Sequence, residues 1–414
     1  MTPIYPHAII DDPSRLPSMD FPASLNLLDF AIDKVAIPLL AFVIGLAAKP
    51  LIRKLKAYWF RFFASRYATV FKDLESETIT IQSGEPYFRF QDIRIHNTPY
   101  KLRLGLPKSL HEHFSAEELE VLREQGVGTE CESGDCLQFK DQNSLLDFLA
   151  TQFGVPINEY LPSIIQRIAR DFSSSSNGCL FNGKKYGVRE WRVSRTNDEK
   201  EFPILNLYCF ETDYFTDRVL TELWKSLPAE IRQTSSELSS HKPISFLSCS
   251  LGINCVAICA DDKLLITQRS SRVGLSTSRK HISMNEGLTQ TDREAGDIPS
   301  ARLCLLRGLR EELGVQESDV LKMEIGDFFL ERNHFQFGLT AVVHLSMGSQ
   351  ELRHAISKDR TLESDSFIFL DFHETKELLK FLQTSRPEFV PHGYYTLLRI
   401  LLREQPSIIK NTRR

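Results

Sequence analysis

The feature that most constrains the fold is an apolar repeat in residues 302–315, which read RLCLLRGLREELGV. The leucines at spacings of three and four are Leu303, Leu306, Leu309 and Leu313. This spacing predicts an amphipathic helix, and Gly314 is placed to supply the left-handed residue that ends it. Upstream, the apolar stretch 245–260 and the segment 264–270 are separated by a polar turn, which predicts two neighbouring strands. The C-terminal part of the chain is therefore expected to combine a sheet with a helix.

Composition places the whole chain among globular proteins. It has 414 residues, of which 42% are hydrophobic and 25% charged, which excludes bulk disorder, collagen-like repeats and a polytopic membrane protein. A net charge of −4 argues against nucleic acid as a partner. Most of the eight cysteines lie in apolar runs, as expected for buried free thiols in a reducing compartment.

The first 70 residues differ from the rest. Residues 35–48, VAIPLLAFVIGLAA, are uninterrupted apolar sequence, and the segment 28–52 approaches the roughly 20 residues of a spanning helix if its charged ends reach the headgroups. Acids precede the run, whereas the residues that follow it are basic: Lys49, Arg53, Lys54, Lys56, Arg61 and Arg66. This asymmetry predicts a single-pass membrane protein with its C-terminal bulk in the cytoplasm. The alternative is a buried helix of a soluble domain.

The remaining pattern divides the chain into five parts. They are a tail at 1–27, a membrane anchor with a basic and aromatic juxtamembrane helix at 28–70, an α+β domain at 71–228, a linker at 229–243 and a domain at 244–414. In the α+β domain, residues 78–82 and 88–95 alternate as strands do, and 161–172 have helical spacing. The turn 182–187, NGKKYG, suits either a hairpin or a phosphate site. The role of this domain is not revealed by its sequence.

The segment around residue 307 resembles the Nudix hydrolase family, whose box reads G-x5-E-x7-R-E-U-x-E-E-x-G-U with U aliphatic. The matching positions are Arg307, Leu309, Glu311, Glu312, Gly314 and Val315. Gly287 corresponds to the first glycine of the box, and the hairpin that ends at Arg269 looks like the strands that precede the Nudix helix. The resemblance covers residues 245–375. It implies an α+β protein whose C-terminal domain is a Nudix-like α/β/α sandwich with a mixed sheet, preceded by a separate α+β domain and an N-terminal apolar helix.

The resemblance also implies a reaction and a set of residues. Nudix enzymes hydrolyse a diphosphate linked to another moiety, and they use Mg²⁺ or Mn²⁺, which carboxylates bind well. The expected metal ligands are Glu311, Glu312 and Glu286, and the expected catalytic residues are Glu311, Glu312 and Glu363. The expected substrate-binding residues are Arg269, Arg307 and Gly287. Independently of the family, Arg307 precedes Glu311 by four residues, so it can orient that carboxylate on a helix.

Two departures from the box weaken this assignment. Gly308 stands where the family has a glutamate, and residues 289–300 form an insertion before Arg307. The acids that could replace the missing carboxylates are Glu286, Asp292, Glu294 and Asp297, with Glu286 best placed beside Gly287. Glu331 is the alternative to Glu363 as the downstream acid.

Two hypotheses follow from these observations. The first is a membrane-tethered Nudix-type pyrophosphohydrolase that cleaves a phosphoanhydride bond of a nucleoside diphosphate derivative. The second is a catalytically impaired Nudix-like domain that senses a nucleotide and is coupled to the membrane segment. Gly308 favours the second hypothesis, and the Glu311–Glu312 pair favours the first. A domain that only makes protein contacts ranks last, because it leaves the acidic pair unexplained.

Overall fold

The computed structural model describes a large part of the chain after residue 76. The described residues are 77–128, 132–133, 147, 150–151, 153–154, 157–174, 180–196, 201–239, 247, 250–270, 278–357 and 364–405. All of them belong to one compact unit, Thr69–Arg414. The predicted tail and membrane anchor lie outside the described residues, as does Glu363. Of the helices described, none has both the length and the hydropathy to cross a bilayer.

Fourteen strands are described. In chain order they are β1 (Thr78–Phe88), β2 (Ile93–Arg103), β3 (Glu132–Ser133), β4 (Lys184–Arg195), β5 (Pro203–Asp213), β6 (Leu251–Ile258), β7 (Lys263–Arg269), β8 (Lys280–Ile282), β9 (Met284–Gly287), β10 (Arg293–Glu294), β11 (Ile298–Pro299), β12 (Val320–Glu331), β13 (Gln336–Leu345) and β14 (Ser364–Asp371). The strands predicted at 78–82 and 264–270 are among them.

Eight α-helices are described, together with short 3-10 turns. The helices are α1 (Ala116–Glu124), α2 (Ile157–Ser173), α3 (Tyr214–Ser226), α4 (Ala229–Ser239), α5 (Ala301–Gly308), α6 (Ser349–His354), α7 (Thr375–Ser385) and α8 (Pro391–Glu404). The 3-10 turns are Phe90–Asp92, Lys108–His113, Glu317–Asp319 and Arg386–Glu388. The segment predicted as a linker begins with α4, and the domain boundaries stay predictions.

Twelve of the strands form one large and one smaller mixed sheet, and β10 and β11 form a separate antiparallel pair. The large sheet has the order β1-β12-β13-β6-β7-β14, with β9 added to β6 and β8 added to β7. Within it, β13 pairs with β6 in parallel and the other pairs are antiparallel. The smaller sheet has the order β3-β2-β5-β4, with β2 parallel to β5. The architecture is therefore α+β with mixed sheets, which confirms the fold class at that level.

Both faces of the large sheet are covered. Phe328 contacts Trp191 at a ring distance of 5.8 Å, whereas the next residue, Phe329, contacts Tyr395 of α8 at 4.9 Å. Because successive side chains of a strand point to opposite faces, β4 and α8 pack on different sides. The apolar residues of α5 belong to the same core cluster as Phe328. Helices α5 and α8 therefore lie on opposite faces of this sheet.

The region before residue 240, here called the middle region (77–239), shares its core with the C-terminal region (250–405). Strand β1 pairs with β12. The indole Nε1 of Trp224 donates a hydrogen bond of 2.6 Å to the carbonyl of Arg332, and its ring lies 4.5 Å from that of Phe335. The two regions are thus joined by strand pairing and by buried aromatic contacts.

A charged cluster fixes α8 to the sheet. Asp327 is fully buried on β12, and its carboxylate accepts hydrogen bonds from both Arg399 and Arg403 at 2.6–3.0 Å. The hydroxyl of Ser83 on β1 donates to the same carboxylate at 2.6 Å. These four residues are called the Asp327 cluster. It connects β1, β12 and α8, so it is placed to stabilise the fold.

Candidate active site

The predicted helix at 302–315 forms, with a change of geometry in its last turn. The Ser300 hydroxyl accepts a hydrogen bond from the backbone of Leu303 and so caps α5, which continues after Gly308 as a π-helical turn over Leu309–Leu313. Gly314 then adopts a left-handed φ of 75° and ends the helix, as predicted. π-helical turns of this kind are common at functional sites.

The buried face of this helix differs from the predicted stripe. Leu309 and Leu313 are buried as expected, but Leu303 and Leu306 are only half-buried. Cys304 and Leu305 take the central positions instead. The predicted amphipathic helix is therefore confirmed, with Cys304, Leu305, Leu309 and Leu313 on its buried face and Leu303 and Leu306 half-buried.

Arg307 lies at the centre of the candidate site and is held by Asp292. Its Nε and Nη2 atoms donate to the two carboxylate oxygens of Asp292 at 2.8 and 3.0 Å. Asp292 itself is buried, and it also accepts hydrogen bonds from the backbone and the hydroxyl of Thr289. A bidentate contact of this kind fixes both the position and the plane of a guanidinium.

The other contacts of Arg307 bring two more carboxylates together. Its Nη1 lies 3.1 Å from an oxygen of Glu311 and 3.2 Å from an oxygen of Glu286, while Nη2 donates to the carbonyl of Gly287 at 2.9 Å. A guanidinium has five N–H donors, and four hydrogen bonds of Arg307 are made to Asp292, Glu311 and the carbonyl of Gly287, while Nη1 also forms an ion pair with Glu286. Arg307 therefore positions carboxylates.

Glu286 occupies the space beside the glycine that replaces the box glutamate. A Cβ built on Gly308 would stand 2.8 Å from Cβ of Glu286 and 2.7 Å from Sδ of Met284. Helix α5 therefore approaches β9 so closely that any side chain at residue 308 would force Met284 and Glu286 to shift. The carboxylate that the helix lacks at this level is supplied by Glu286 from the neighbouring strand.

The charges at this site are unequal. Three carboxylates, those of Asp292, Glu286 and Glu311, surround one guanidinium. Burial raises the pKa of Glu286 above its ordinary value, and the positive charges of Arg307 and Lys185 oppose this rise. The side chain of Glu286 is 21% exposed, so the cluster opens to solvent. Asp292, Glu286, Glu311 and Arg307 are called the Arg307 cluster below.

The structure brings together some of the predicted residues and places others elsewhere. Arg307, Glu311, Glu286 and Gly287 meet, as the resemblance implies. Glu312 is half-buried, and its negative charge adds to burial in raising the pKa of the Cys255 thiol on β6.

Arg269 lies at the end of β7, beside a buried pair of histidines. The Nε2 atoms of His281 and His392 are 3.0 Å apart. Burial is the main cause that lowers the pKa of both rings. The positive charge of Arg269 lowers both pKa values further. The structure thus places Arg269 near α8, whereas Arg307 extends from α5 on the opposite face of the sheet. The predicted contact of Arg269 with a substrate phosphate stays a prediction.

Of the two candidates for the downstream acid, Glu331 lies among the described residues and Glu363 does not. Glu331 is buried at the end of β12, and its carboxylate accepts hydrogen bonds from the backbone of Asn333 and from both the backbone and the ring of His334. These contacts close the turn between β12 and β13. Glu331 therefore has a structural role, and Glu363 stays a prediction outside the described residues.

Two residues of the site could not be identified from the sequence. Asp292 was one of four candidate acids, and the sequence did not predict the backbone conformation of the segment that contains it. Nothing in the sequence therefore distinguished Asp292 from the other three acids. Lys185 comes from the middle region, and its ammonium lies 3.5 Å from the point where a Cβ of Gly287 would stand. The turn 182–187 carried a basic signal, but its contact with the C-terminal region depends on tertiary structure.

A preformed metal chelate is not evident in the described part of the chain, where no three His, Cys, Asp or Glu side chains form a group that could hold an ion. The described cysteines, Cys209, Cys255, Cys259 and Cys304, are buried and free, as expected.

Comparison with known proteins adds little to this description. No protein-family model matches the chain, and no curated protein matches it. Among solved structures, the chain is similar to DR0079 from Deinococcus radiodurans, with 14% identity. The match covers 34% of this chain and 84% of that one, with a TM-score of 0.24. A score this low identifies neither a shared fold nor a shared function.

Proposed function

We propose that this chain is a Nudix-type hydrolase that cleaves a phosphoanhydride bond of a nucleoside diphosphate derivative with the help of Mg²⁺ or Mn²⁺. We further propose that residues 28–52 tether it to a membrane, with the bulk of the chain in the cytoplasm. The observation that carries the proposal is the position of Glu286, whose Cβ lies 2.8 Å from the point where a Cβ of Gly308 would stand and whose carboxylate shares Arg307 with Glu311. The set of carboxylates thus survives the loss of the box glutamate.

The fold supports this proposal in outline. A mixed sheet with α5 on one face and α8 on the other is compatible with the Nudix-like α/β/α sandwich that the sequence suggested. The segment R-G-L-R-E-E-L-G begins in α5 and ends in its π-helical turn, with Gly314 as the terminating residue.

The donor chemistry fits a hard divalent cation. Carboxylate oxygens are the protein ligands that Mg²⁺ prefers, and the Arg307 cluster has more negative than positive charge. Glu286, Glu311 and Glu312 are the proposed ligands; they do not form a preformed chelate, so the metal would have to draw them together. Both oxygens of Asp292 are engaged by Arg307. When bound, the metal would neutralise phosphate oxygens and lower the pKa of an attacking water.

Other residues of the chain would position the carboxylates and accept a proton. Asp292 fixes Arg307, and Arg307 in turn orients the carboxylates of Glu286 and Glu311. The carbonyl of Gly287 accepts a further hydrogen bond from Arg307, which keeps the end of β9 against α5. Glu363 stays the proposed acid that accepts a proton from the attacking water.

A nucleotide sensor is the second candidate, and one observation favours it. Nη1 of Arg307 lies between Glu286 and Glu311 at 3.1–3.2 Å, so both carboxylates already have a counter-charge. A ligand could then bind without any metal chemistry. Restoring the box by Gly308→Glu alone does not test this candidate, because the added Cβ would collide with Met284 and Glu286.

The proposed reaction is tested with the full-length protein in mild detergent. The protein is incubated with Mn²⁺ or Mg²⁺ and a panel of nucleotide sugars, dinucleotides and nucleoside triphosphates, and the released products are measured. We expect turnover, and a loss of at least about a hundredfold in Glu311→Gln and Glu286→Gln, since removing electrostatic groups at a reacting centre commonly costs 10²–10³. Glu317→Gln is the matched control, because that exposed acid follows the same helix.

Two results would contradict the hydrolase. One is the absence of turnover on the whole panel with either metal. The other is turnover that Glu311→Gln leaves intact. The exchange variant Glu286→Gly/Gly308→Glu moves the carboxylate from β9 back to the helix. It removes the Glu286 side chain from the collision and leaves only the flexible thioether of Met284 to shift, so we expect it to retain more activity than Glu286→Gly alone.

A further inference from the structure

Lys185 reaches the candidate active site from the middle region. The start of β4 is attached to the chain that follows Gly287: the backbone N–H of Tyr186 donates to the carbonyl of Leu288 at 3.2 Å, and that of Gln290 donates to the carbonyl of Lys184 at 3.3 Å. The side-chain amide of Gln290 also donates to the carbonyl of Lys185. Lys185 is therefore held in place by backbone contacts and not only by its own side chain.

The ammonium of Lys185 lies in a partly open, polar environment. It is 3.5 Å from a carboxylate oxygen of Asp217 and 4.6 Å from the centre of the Tyr214 ring. The Asp217 contact is longer than the 2.7–2.9 Å of a strong charge-assisted hydrogen bond, and an ammonium has three donors. The side chain is 19% exposed, so a small anion can approach it.

The site needs a cation other than the arginine of the motif. The guanidinium of Arg307 is already occupied by hydrogen bonds to Asp292, Glu311 and the carbonyl of Gly287 and by an ion pair with Glu286. Beside the proposed metal, a diphosphate that enters this acidic cluster is stabilised by a hydrogen bond from a further cationic side chain. The ammonium of Lys185 lies 3.5 Å from the point where a Cβ of Gly287 would stand, and its positive charge acts on Glu286.

We propose that Lys185 is a substrate-binding residue, supplied by the middle region, whose ammonium donates to a phosphate oxygen of the bound diphosphate. This rests on the proposed function. It gives the middle region a role in selecting anionic substrates, which the Nudix resemblance did not suggest. Of the two interpretations of the turn 182–187, it favours the phosphate site.

The proposal is tested by binding, independently of turnover. Methylenediphosphonate, a diphosphate that cannot be hydrolysed, is titrated calorimetrically into the full-length protein in mild detergent with Mn²⁺. We expect Lys185→Gln to weaken binding at least about tenfold, in line with the loss of one hydrogen bond to a charged group, and Lys185→Arg to stay within about threefold of the wild type. Lys184→Gln is the matched control, because the neighbouring side chain is exposed. Arg269→Gln tests the competing cation.

The outcomes separate the two proposals. Unchanged affinity in Lys185→Gln, or no binding of the diphosphonate by the wild type, overturns the assignment of Lys185. A wild type that binds the diphosphonate through Lys185 but hydrolyses nothing on the substrate panel overturns the hydrolase alone. Where turnover is present, Lys185→Gln should raise KM more than it lowers kcat. Thermal melting of each variant controls for misfolding, and a loss of affinity in Arg269→Gln but not in Lys185→Gln transfers the role to Arg269.

Discussion

The Asp327 cluster and the Arg307 cluster are built from the same two kinds of group in opposite proportions. Asp327 is one carboxylate that meets two arginines, Arg399 and Arg403. Arg307 is one guanidinium that meets three carboxylates. The pKa of the central acid of the first cluster is lowered, whereas the pKa of Glu286 in the second is raised. The ratio of carboxylates to guanidinium groups, and not burial alone, distinguishes these two sites.

The comparison shows how a buried charged cluster can be recognised as structural or functional. In the Asp327 cluster, every carboxylate oxygen is saturated by arginine donors and the side chain is fully buried. In the Arg307 cluster one guanidinium is shared by three carboxylates, so an excess of negative charge remains and Glu286 is partly exposed. An uncompensated, accessible charge is a reason to expect a cationic ligand.

The largest expected effect comes from removing the shared carboxylate of the Asp327 cluster. Asp327→Asn leaves Arg399 and Arg403 without their counter-charge, and breaking a buried ion pair in this way costs about 3–5 kcal/mol. The free energy of unfolding, measured in urea, should fall by that amount. The control is Asp365→Asn, an exposed acid on β14. A loss below about 1 kcal/mol would show that the cluster does not hold α8.

The same carboxylate predicts an acid-dependent loss of stability. Burial opposes the ionisation of Asp327, but hydrogen bonds from Arg403 and Arg399 outweigh it and lower the pKa from 3.8 to about 2. A lowered pKa stabilises the folded state above the pKa of the unfolded chain, and this contribution disappears as the pH falls from about 4 through about 2. It amounts to about 2–3 kcal/mol, because each unit of pKa corresponds to 1.36 kcal/mol.

Urea unfolding between pH 5 and pH 2.5 measures this contribution. Arg399→Gln keeps one of the two arginines, so we expect its stability to fall less steeply with pH than that of the wild type. Equal slopes for the two proteins would mean that Arg403 alone sets the pKa of Asp327.

The third prediction concerns the close approach of α5 to β9 in the Arg307 cluster. Gly308→Ala adds a Cβ within 2.8 Å of Glu286, and overpacking of this kind costs about 1–3 kcal/mol. Glu286→Ala should relieve part of that cost in the double variant. Gly183→Ala is the matched control, since the nearest atoms to its added Cβ are 3.8 Å away. Strictly additive free energies in this double-mutant cycle would contradict the contact.

The sequence predicted local structure better than it predicted which residues form the site. Gly314 ends its helix in the left-handed conformation, as predicted, because the signal that ends a helix lies within a few residues. Glu286 was singled out because it adjoins Gly287, and the structure places its carboxylate 3.2 Å from Arg307. Asp292 could not be chosen among four acids, since its contact with Arg307 depends on the turn made by the insertion.

Contacts between distant segments explain the rest of the difference. Lys185 and Gly287 are far apart in the chain and meet only because β4 pairs with the segment after β9. The π-helical turn over Leu309–Leu313 was not predicted, because no local signal marks it. Periodicity and capping therefore identify elements, whereas the partners of a charged residue depend on how those elements pack.

The smallest expected effect on stability is also the sharpest test of the comparison. Glu286→Gln removes a charge from the Arg307 cluster while keeping the shape of the side chain, and burial already disfavours that charge. Glu311 and Asp292 continue to neutralise Arg307. We therefore expect a change within about 1 kcal/mol, either neutral or stabilising, in contrast to the isosteric Asp327→Asn.

Urea unfolding of Glu286→Gln and Asp327→Asn, measured side by side, tests this difference in stability. Binding of Mn²⁺ and methylenediphosphonate by Glu286→Gln should weaken at least about tenfold even though stability is retained, because a lost hydrogen bond or contact to a charged group costs about 1.5–3 kcal/mol. A destabilisation as large as that of Asp327→Asn would instead make Glu286 a structural partner of Arg307. The excess negative charge would then serve the fold, and the case for a cation site beside Gly308 would fail.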